Sequence, residues 1–256
     1  MISKNCIKHI NSLQRKKYRL QTGTFLVEGE KIVSEILRSD IKVKTIFALK
    51  SWILNNSNKF HGVEILEADQ EDLKKMSVMQ TPPPVMAECF SQKESQLDLK
   101  QGKLFLALDS VRDPGNFGTI IRIADWFGFD GILASEDCVE KYNSKVVQAS
   151  MGSVFRLKIF YRNLTTLFQE ALEKNIPIYG TFLEGENIYK DNFKAEGIIV
   201  LGNEGHGILP DTAKLITKKL FIPFDQKQKF PPESLNVSSA ASVVCSEFFR
   251  RRNVNN

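Results

Sequence analysis

The feature that most constrains this chain is a repeated alternation in its second part. Short apolar runs, LFLALD (104–109), GILAS (131–135), FRLKIF (155–160), PIYGTF (177–182), GIIVLG (197–202) and KLFIP (219–223), have the length of buried strands. Between them the apolar residues recur at helical spacing, at about 116–127, 143–151, 163–174, 208–217 and 236–251. Strands apolar throughout, each followed by an amphipathic helix, predict a mostly parallel α/β sheet covered on both faces. In such a sheet ligands bind beyond the carboxyl ends of the strands, so residues at 109–122, 202–207 and 222–240 become the first candidates for chemistry.

The polar stretch SQKESQLDLKQGK (91–103), preceded by three prolines at 82–84 that block helix and strand alike, marks a seam. It predicts a small domain at 1–93, a linker at 94–102 and a larger domain at 103–256. In the small domain residues 3–20 read as one helix. TFLVEG (24–29), VKTIFAL (43–49), VEILEA (63–68) and VMAECF (85–90) read as strands, with a helix at 30–39, which makes a small α/β sandwich.

Charge adds a hint about partners. The net charge of +5 is mild, but Lys4, Lys8, Arg15, Lys16, Lys17 and Arg19 precede the first acid, Glu28. Such a cluster is either a phosphate-binding patch or a solvated helix face. The four cysteines, Cys6, Cys89, Cys138 and Cys245, are widely spaced and show neither zinc-site nor disulfide spacing. No signal peptide or membrane-length apolar run is present, so the chain reads as a soluble, reduced, cytoplasmic protein without a metal.

Three segments carry the candidate chemistry. In LDSVRDPGNFGTIIR (108–122) a strand ends and a helix follows, with Asn116 and Arg122 nearly two turns apart and able to project to one side. Arg122 stands among Ile120, Ile121, Ile123 and Ala124, a setting in which an arginine is expected to be paired or to grip an anion. IIVLGNEGHGI (198–208) runs a buried strand into a loop with three glycines and Glu204. The glycines serve either a tight turn or a close backbone approach to a ligand. The spacing is neither the dinucleotide fingerprint nor a P-loop. In ESLNVSSAAS (233–242), Ser234 and Asn236 stand where a helix begins and where capping is their ordinary work.

Together, DPGNFGTIIRIA, LGNEGHG and IP…ESLNVSSAA resemble the three motifs of the SpoU (TrmH-like) branch of the SPOUT RNA 2′-O-ribose methyltransferases, over the whole second domain. The opening KHINSLQRKKYRLQTGTFLVEGEKIV is similar to the ribosomal-protein-like α/β/α module that precedes such domains. The resemblance implies a C-terminal deep trefoil knot, a homodimer, and S-adenosyl-L-methionine held near Gly180, Thr181, Leu201, Gly202, Asn203, Gly207, Ile222, Leu235, Asn236 and Ala240, so that a side chain at Gly202 would fill cofactor space. It further implies catalysis by Asn116, Arg122, Glu204, Ser234 and Asn236, and structured RNA, ribosomal in preference to transfer RNA, gripped by Lys16, Lys17, Arg19, Arg112 and Arg122. The loop FDQKQKFPP (224–232) is longer than the family's and lacks its glycine. Ser239 stands where valine is common, and Gln148 where arginine is common. Two other readings compete: an RNA-binding or ribosome-assembly protein without catalysis, and a nucleotide-dependent oxidoreductase, which would need a glycine fingerprint that Leu106–Gly118 lacks.

Overall fold

The computed structural model describes residues 2–190, 193–225 and 233–254. The chain divides into two compact units, Met1–Lys93 with Glu140–Arg156, and Glu94–Val139 with Leu157–Asn256.

The first unit opens with two helices where the periodicity predicts one. α1 (Lys4–Ser12) is capped by the Ser3 side chain, which accepts the Cys6 amide. The chain then turns before α2 (Lys16–Thr22), because Arg19 reaches back and takes the Leu13 and Gln14 carbonyls at 2.8 and 3.0 Å. β1 (Thr24–Glu28), α3 (Glu30–Ile36), β2 (Val43–Ala48), α4 (Lys50–Asn56), β3 (Glu64–Glu67), α5 (Gln70–Met76) and β4 (Val85–Phe90) follow. The sheet runs β1-β4-β2-β3, with β4 antiparallel to both neighbours and β2 parallel to β3. Ile10, Leu13, Leu73 and Met76 from the helices pack with Leu26, Phe47 and Met86 of the strands. Phe25, one residue from Leu26 and therefore on the other face, stacks on Tyr142 with ring centroids 4.1 Å apart. Gln148 spends its amide on the Glu28 carbonyl at 2.8 Å.

The remaining elements are β5 (Leu104–Leu108), α6 (Pro114–Trp126), β6 (Gly131–Ala134), α7 (Ser144–Ser150, which belongs with the first unit), β7 (Ile159–Tyr161), α8 (Leu164–Glu173), β8 (Ile178–Phe182), β9 (Glu186–Asn187), β10 (Gly197–Leu201), α9 (Pro210–Ala213), β11 (Lys218–Phe221) and α10 (Val237–Val254). The sheet of the second unit has the order β7-β6-β5-β10-β8-β11-β9, and every pairing is parallel. β5, β6 and β10 are buried along their whole length, as the unbroken apolar runs require.

In the second unit, three more elements differ from the sequence expectation. β7 begins at Ile159 because Ser153–Phe155 form a 3-10 turn. The short β9 has no apolar run to announce it. The helix expected over 208–217 is a single turn: Thr217 binds Ile178 through its amide and its hydroxyl, which pulls the chain into register for β11. The direction of strand addition reverses at β5. β6 and β7 lie on one side, and β10, β8 and β11 on the other, so β5 and β10 flank the switch point at which parallel α/β sheets bind ligands.

Candidate active site

Two of the three segments leave the sheet from adjacent parallel strands, with Leu108 of β5 opposite Leu201 of β10. Beyond β5 the buried Asp109 accepts the Leu209 amide at 2.9 Å and so anchors the far end of the glycine-rich loop. Burial pushes its carboxyl up, only partly offset by hydrogen bonds from that amide and from the Thr212 hydroxyl. Ser110 adopts a left-handed backbone, φ 59°. It donates its amide to Ser135 Oγ at 2.8 Å and its hydroxyl to Asp137 Oδ2 at 2.7 Å. Arg112 reaches the same carboxylate at 2.7 Å. Burial would raise the Asp137 carboxyl, but the bonds from Ser135, Arg112 and Ser110 prevail and hold it down at about 2.

α6 begins at Pro114, two residues ahead of Asn116, because Asp113 accepts the Asn116 amide at 2.8 Å and proline suits the first helical position. This places Asn116 in the first turn with its side chain free to act as a hub. Its Nδ2 donates to Glu204 Oε1 at 2.6 Å, and its Oδ1 accepts from Asn236 Nδ2 at 3.1 Å. One line of hydrogen bonds therefore joins all three segments across 88 and 120 residues of sequence. Asn236 also performs the expected capping, its Oδ1 accepting the Ser238 amide at 2.9 Å. Phe117, Ile120, Ile121 and Ala124 turn inward from α6 and are fully buried. Arg122 lies outside that buried set: it is exposed and forms no hydrogen bond or ion pair among the described residues, so no described carboxylate neutralises it. Ser234 is exposed and likewise unbonded among the described residues.

The loop after β10 is closed by reciprocal bonds, Asn203 N to Gly207 O and Gly207 N to Asn203 O, both 2.9 Å. Gly207 needs its lack of a side chain at φ 67°. A Cβ on Gly202 would collide with the Gly207–Ile208 backbone. Closure of the loop upon itself is thus a reason for glycine at 202 that the sequence expectation, which concerned cofactor space, did not include. Asn203 Nδ2 ties the loop to the Ser110 carbonyl at 2.8 Å. Gly180 leaves room for Ile216, and the Thr181 hydroxyl is bonded to the Val200 carbonyl at 3.1 Å. Leu201 is buried, Ile222 and Ala240 are half-buried, and Leu235 is exposed at the start of α10. Of the long loop at 224–232, residues 226–232 lie outside the described residues. Among the described residues no cluster of His, Cys, Asp or Glu is arranged to hold a metal ion.

The RNA-binding residues expected from sequence divide. Lys16 and Lys17 are exposed on α2. Arg19 is not available to RNA: it is 5% exposed, and besides its two carbonyls it bonds Glu140 through Nε at 2.8 Å. It holds the turn between α1 and α2. Arg112 is exposed, though tethered to Asp137. Sequence reasoning missed Asp109, Ser110 and Asp137 as parts of this network. The first two lie inside a motif segment, whereas nothing in the sequence links Asp137 to Arg112.

A wholly parallel sheet carrying three hydrogen-bonded motifs at its switch point is the arrangement of a SPOUT-type methyltransferase domain. The chain belongs to the SpoU rRNA methylase family, whose model matches residues 103–246, while residues 4–87 match an MRM3-like substrate binding domain. It is 30% identical over 239 residues to the 23S rRNA (guanosine(2553)-2′-O)-methyltransferase RlmP of Bacillus subtilis (strain 168), covering 93% of each chain. Among solved structures it is similar to a TrmH-family protein from Porphyromonas gingivalis, with TM-score 0.87 and 37% identity over 98% of this chain and 99% of that one. It is also similar to an AdoMet-bound rRNA methyltransferase from Sinorhizobium meliloti, with TM-score 0.84 and 28% identity over 98% and 96%.

Proposed function

We propose that this protein is an S-adenosyl-L-methionine-dependent methyltransferase that methylates a ribose 2′-hydroxyl in ribosomal RNA. The observation that carries the reading is the line Asn236–Asn116–Glu204, which brings the three motifs together next to a helix that presents Arg122 free of any described partner. Ribosomal RNA is favoured because the match to RlmP, a 23S rRNA enzyme, spans the first unit as well as the second. A catalytically silent RNA-binding role does not explain why Asn116 and Asn236 would be held in this line.

The residues present suit the cofactor. The ends of the adjacent parallel strands β10, β8 and β11 offer Leu201, Gly202, Asn203, Gly207, Gly180, Thr181 and Ile222, the residues just ahead of α10 offer Leu235 and Asn236, and α10 offers Ala240. This set is uncharged and partly apolar, as an adenosyl group requires, and it needs no metal. When bound, the cofactor supplies an electrophilic methyl group on a sulfonium. Arg122 stabilises charge developing on the ribose oxygen or its neighbouring phosphate. Asn116 holds Glu204 and Asn236 in place, and Ser234 completes the polar rim. Holding the ribose oxygen in line with the methyl is itself worth about 7–11 kcal/mol where alignment is good.

The same reading includes a homodimer, a cytoplasmic location and a deep knot. Insertion of β10 between β5 and β8, and the return of α10 to pack on α6, support the knot. Two measurements test the function: calorimetric titration with S-adenosyl-L-methionine beside a nicotinamide dinucleotide control, and mapping of 2′-O-methyl sites in ribosomal RNA from cells with and without the gene. Binding of the first ligand only, and disappearance of one methylated site, are expected. Binding of the dinucleotide instead, or an unchanged methylation map, overturns the reading.

A further inference from the structure

We infer that Asp137 is a positioning residue for cofactor binding: it holds Ser110 in the left-handed conformation that turns the Ser110 carbonyl onto Asn203. The inference rests on the ribose-methylation reading, in which the loop from Gly202 to Gly207 meets S-adenosyl-L-methionine.

Among the described residues three besides glycine have positive φ: Ser110 at 59°, Met151 at 51° and Asn175 at 56°. Met151 and Asn175 stand at the carboxyl ends of α7 and α8, where a left-handed residue commonly closes a helix. Ser110 follows a strand, so no helix end accounts for it. Its Cβ makes that region costly, and glycine would occupy it freely. What serine adds is a hydroxyl, and the hydroxyl goes to Asp137 Oδ2 at 2.7 Å.

Every polar group of Ser110 is engaged. Its amide donates to Ser135 Oγ at 2.8 Å, and the Ser135 hydroxyl donates in turn to Asp137 Oδ1 at 2.6 Å. Asp137 therefore grips Ser110 directly through one carboxylate oxygen and by way of Ser135 through the other. Its carboxyl sits at about 2, so it remains an acceptor at neutral pH. The Ser110 carbonyl accepts Asn203 Nδ2 at 2.8 Å. With Nδ2 committed there, Asn203 Oδ1 faces its own loop and accepts the Gly205 amide at 2.9 Å and the His206 amide at 3.3 Å. A carboxylate outside all three motif segments thus shapes the loop that carries Gly202, Glu204 and Gly207.

Without Asp137, Ser110 relaxes toward extended backbone in part of the molecules, and its carbonyl leaves Asn203. Only the remaining fraction presents the loop in its binding shape, and apparent affinity falls in proportion to that fraction. Asp137 acts through Ser110 and Asn203, so its effect falls on cofactor binding.

Calorimetric titration with S-adenosyl-L-methionine in the absence of RNA tests this, because the Arg112 released from Asp137 then has no RNA to grip. Asp137→Ala should bind the cofactor about 10-fold more weakly, the order of fold-change that a side chain's cost in the left-handed region represents. Ser110→Ala, which keeps the Cβ and loses the hydroxyl, should lose about as much. Adding Ser110→Gly to Asp137→Ala should restore most of the affinity, since glycine takes the left-handed turn unaided and retains the carbonyl. A role for Asp137 in general stability predicts no such rescue. Circular dichroism identifies variants that do not fold; if Asp137→Ala is one, the comparison passes to Ser110→Gly, which should bind more tightly than Ser110→Ala. Native affinity in Asp137→Ala or Ser110→Ala, or glycine at 110 that binds no better than alanine or brings no rescue, overturns the inference. A native protein that binds no S-adenosyl-L-methionine overturns the parent reading and this one with it, which separates the two failures.

Discussion

Arg122 owes its proposed role to the contrast between its neighbours and itself. The residues beside it on α6 are apolar because they face the sheet, and its own exposure leaves a full positive charge with no described carboxylate to answer it. Such a charge is held ready for an anion. Arg122→Ala should therefore reduce methyl transfer by about 100- to 1000-fold, the usual result of removing a transition-state donor. Cofactor binding by calorimetry should persist, because Arg122 is assigned to RNA. Arg122→Lys should restore little, since an ammonium cannot reproduce the planar fork. Near-normal transfer by a folded Arg122→Ala protein would end this assignment. Gly202→Ala should behave differently: the added methyl strikes the Gly207–Ile208 backbone, so cofactor affinity and melting temperature should fall together. Lost affinity at an unchanged melting temperature would return Gly202 to a purely cofactor-facing role. The identities of these residues were legible in the sequence, because motif spacing survives without a structure. The hub at Asn116 was not, since it consists of bonds to residues 88 and 120 positions away.

At the scale of elements, α2 separates a surface from a hinge. Lys16 and Lys17 face solvent, whereas Arg19, two residues on, is buried against Glu140 and two carbonyls. Reversing the charge of Lys16 and Lys17 should weaken RNA binding and flatten its salt dependence, by about one counterion for each phosphate no longer neutralised. An unchanged salt slope would mark them as a solvated face. Arg19→Ala should instead destabilise the first unit by about 3 kcal/mol, the order of cost for stranding one partner of a buried ion pair, measured by urea unfolding. Periodicity alone merged α1 with α2, because nothing local announces that an arginine will cap the turn between them. The turn after β5 offers a test by pH. Asp137 sits at about 2 in the folded protein, against about 3.9 for a free aspartate. A depressed carboxylate stabilises the fold fully above its unfolded value, and that contribution disappears as pH falls through the folded one. Asp137→Asn should therefore narrow the stability difference between pH 5 and pH 2, read as melting temperature against pH. An acid limb identical to that of the native protein would show that Arg112, Ser110 and Ser135 do not hold it.

For the whole molecule, the alternation of strands and helices determined the class of fold, but strand order could not be read from it. β10 enters between β5 and β8 through parallel pairings among residues distant in sequence, and only those pairings put the glycine-rich loop beside Asn116. The same packing leaves one surface uncovered among the described residues. α6 and α10 lie together, with Phe127 and Phe249 rings 5.6 Å apart, yet Trp126 is 82% exposed and Phe249 44%. Aromatic side chains left in water at the junction of two helices are what a second copy would cover. The proposed homodimer should therefore use this face, with Trp126 near its centre. Light scattering at micromolar concentration should give twice the chain mass. Trp126→Glu should weaken association by about 30-fold or more, since a central tryptophan is worth about 2 kcal/mol or more in an interface. Fluorescence gives a second readout. Of the two tryptophans Trp52 is buried, so a blue shift on raising the protein concentration reports Trp126 leaving water. A monomer at micromolar concentration would remove the dimer. A native dimer indifferent to Trp126→Glu would keep the dimer and move its interface away from the α6–α10 face.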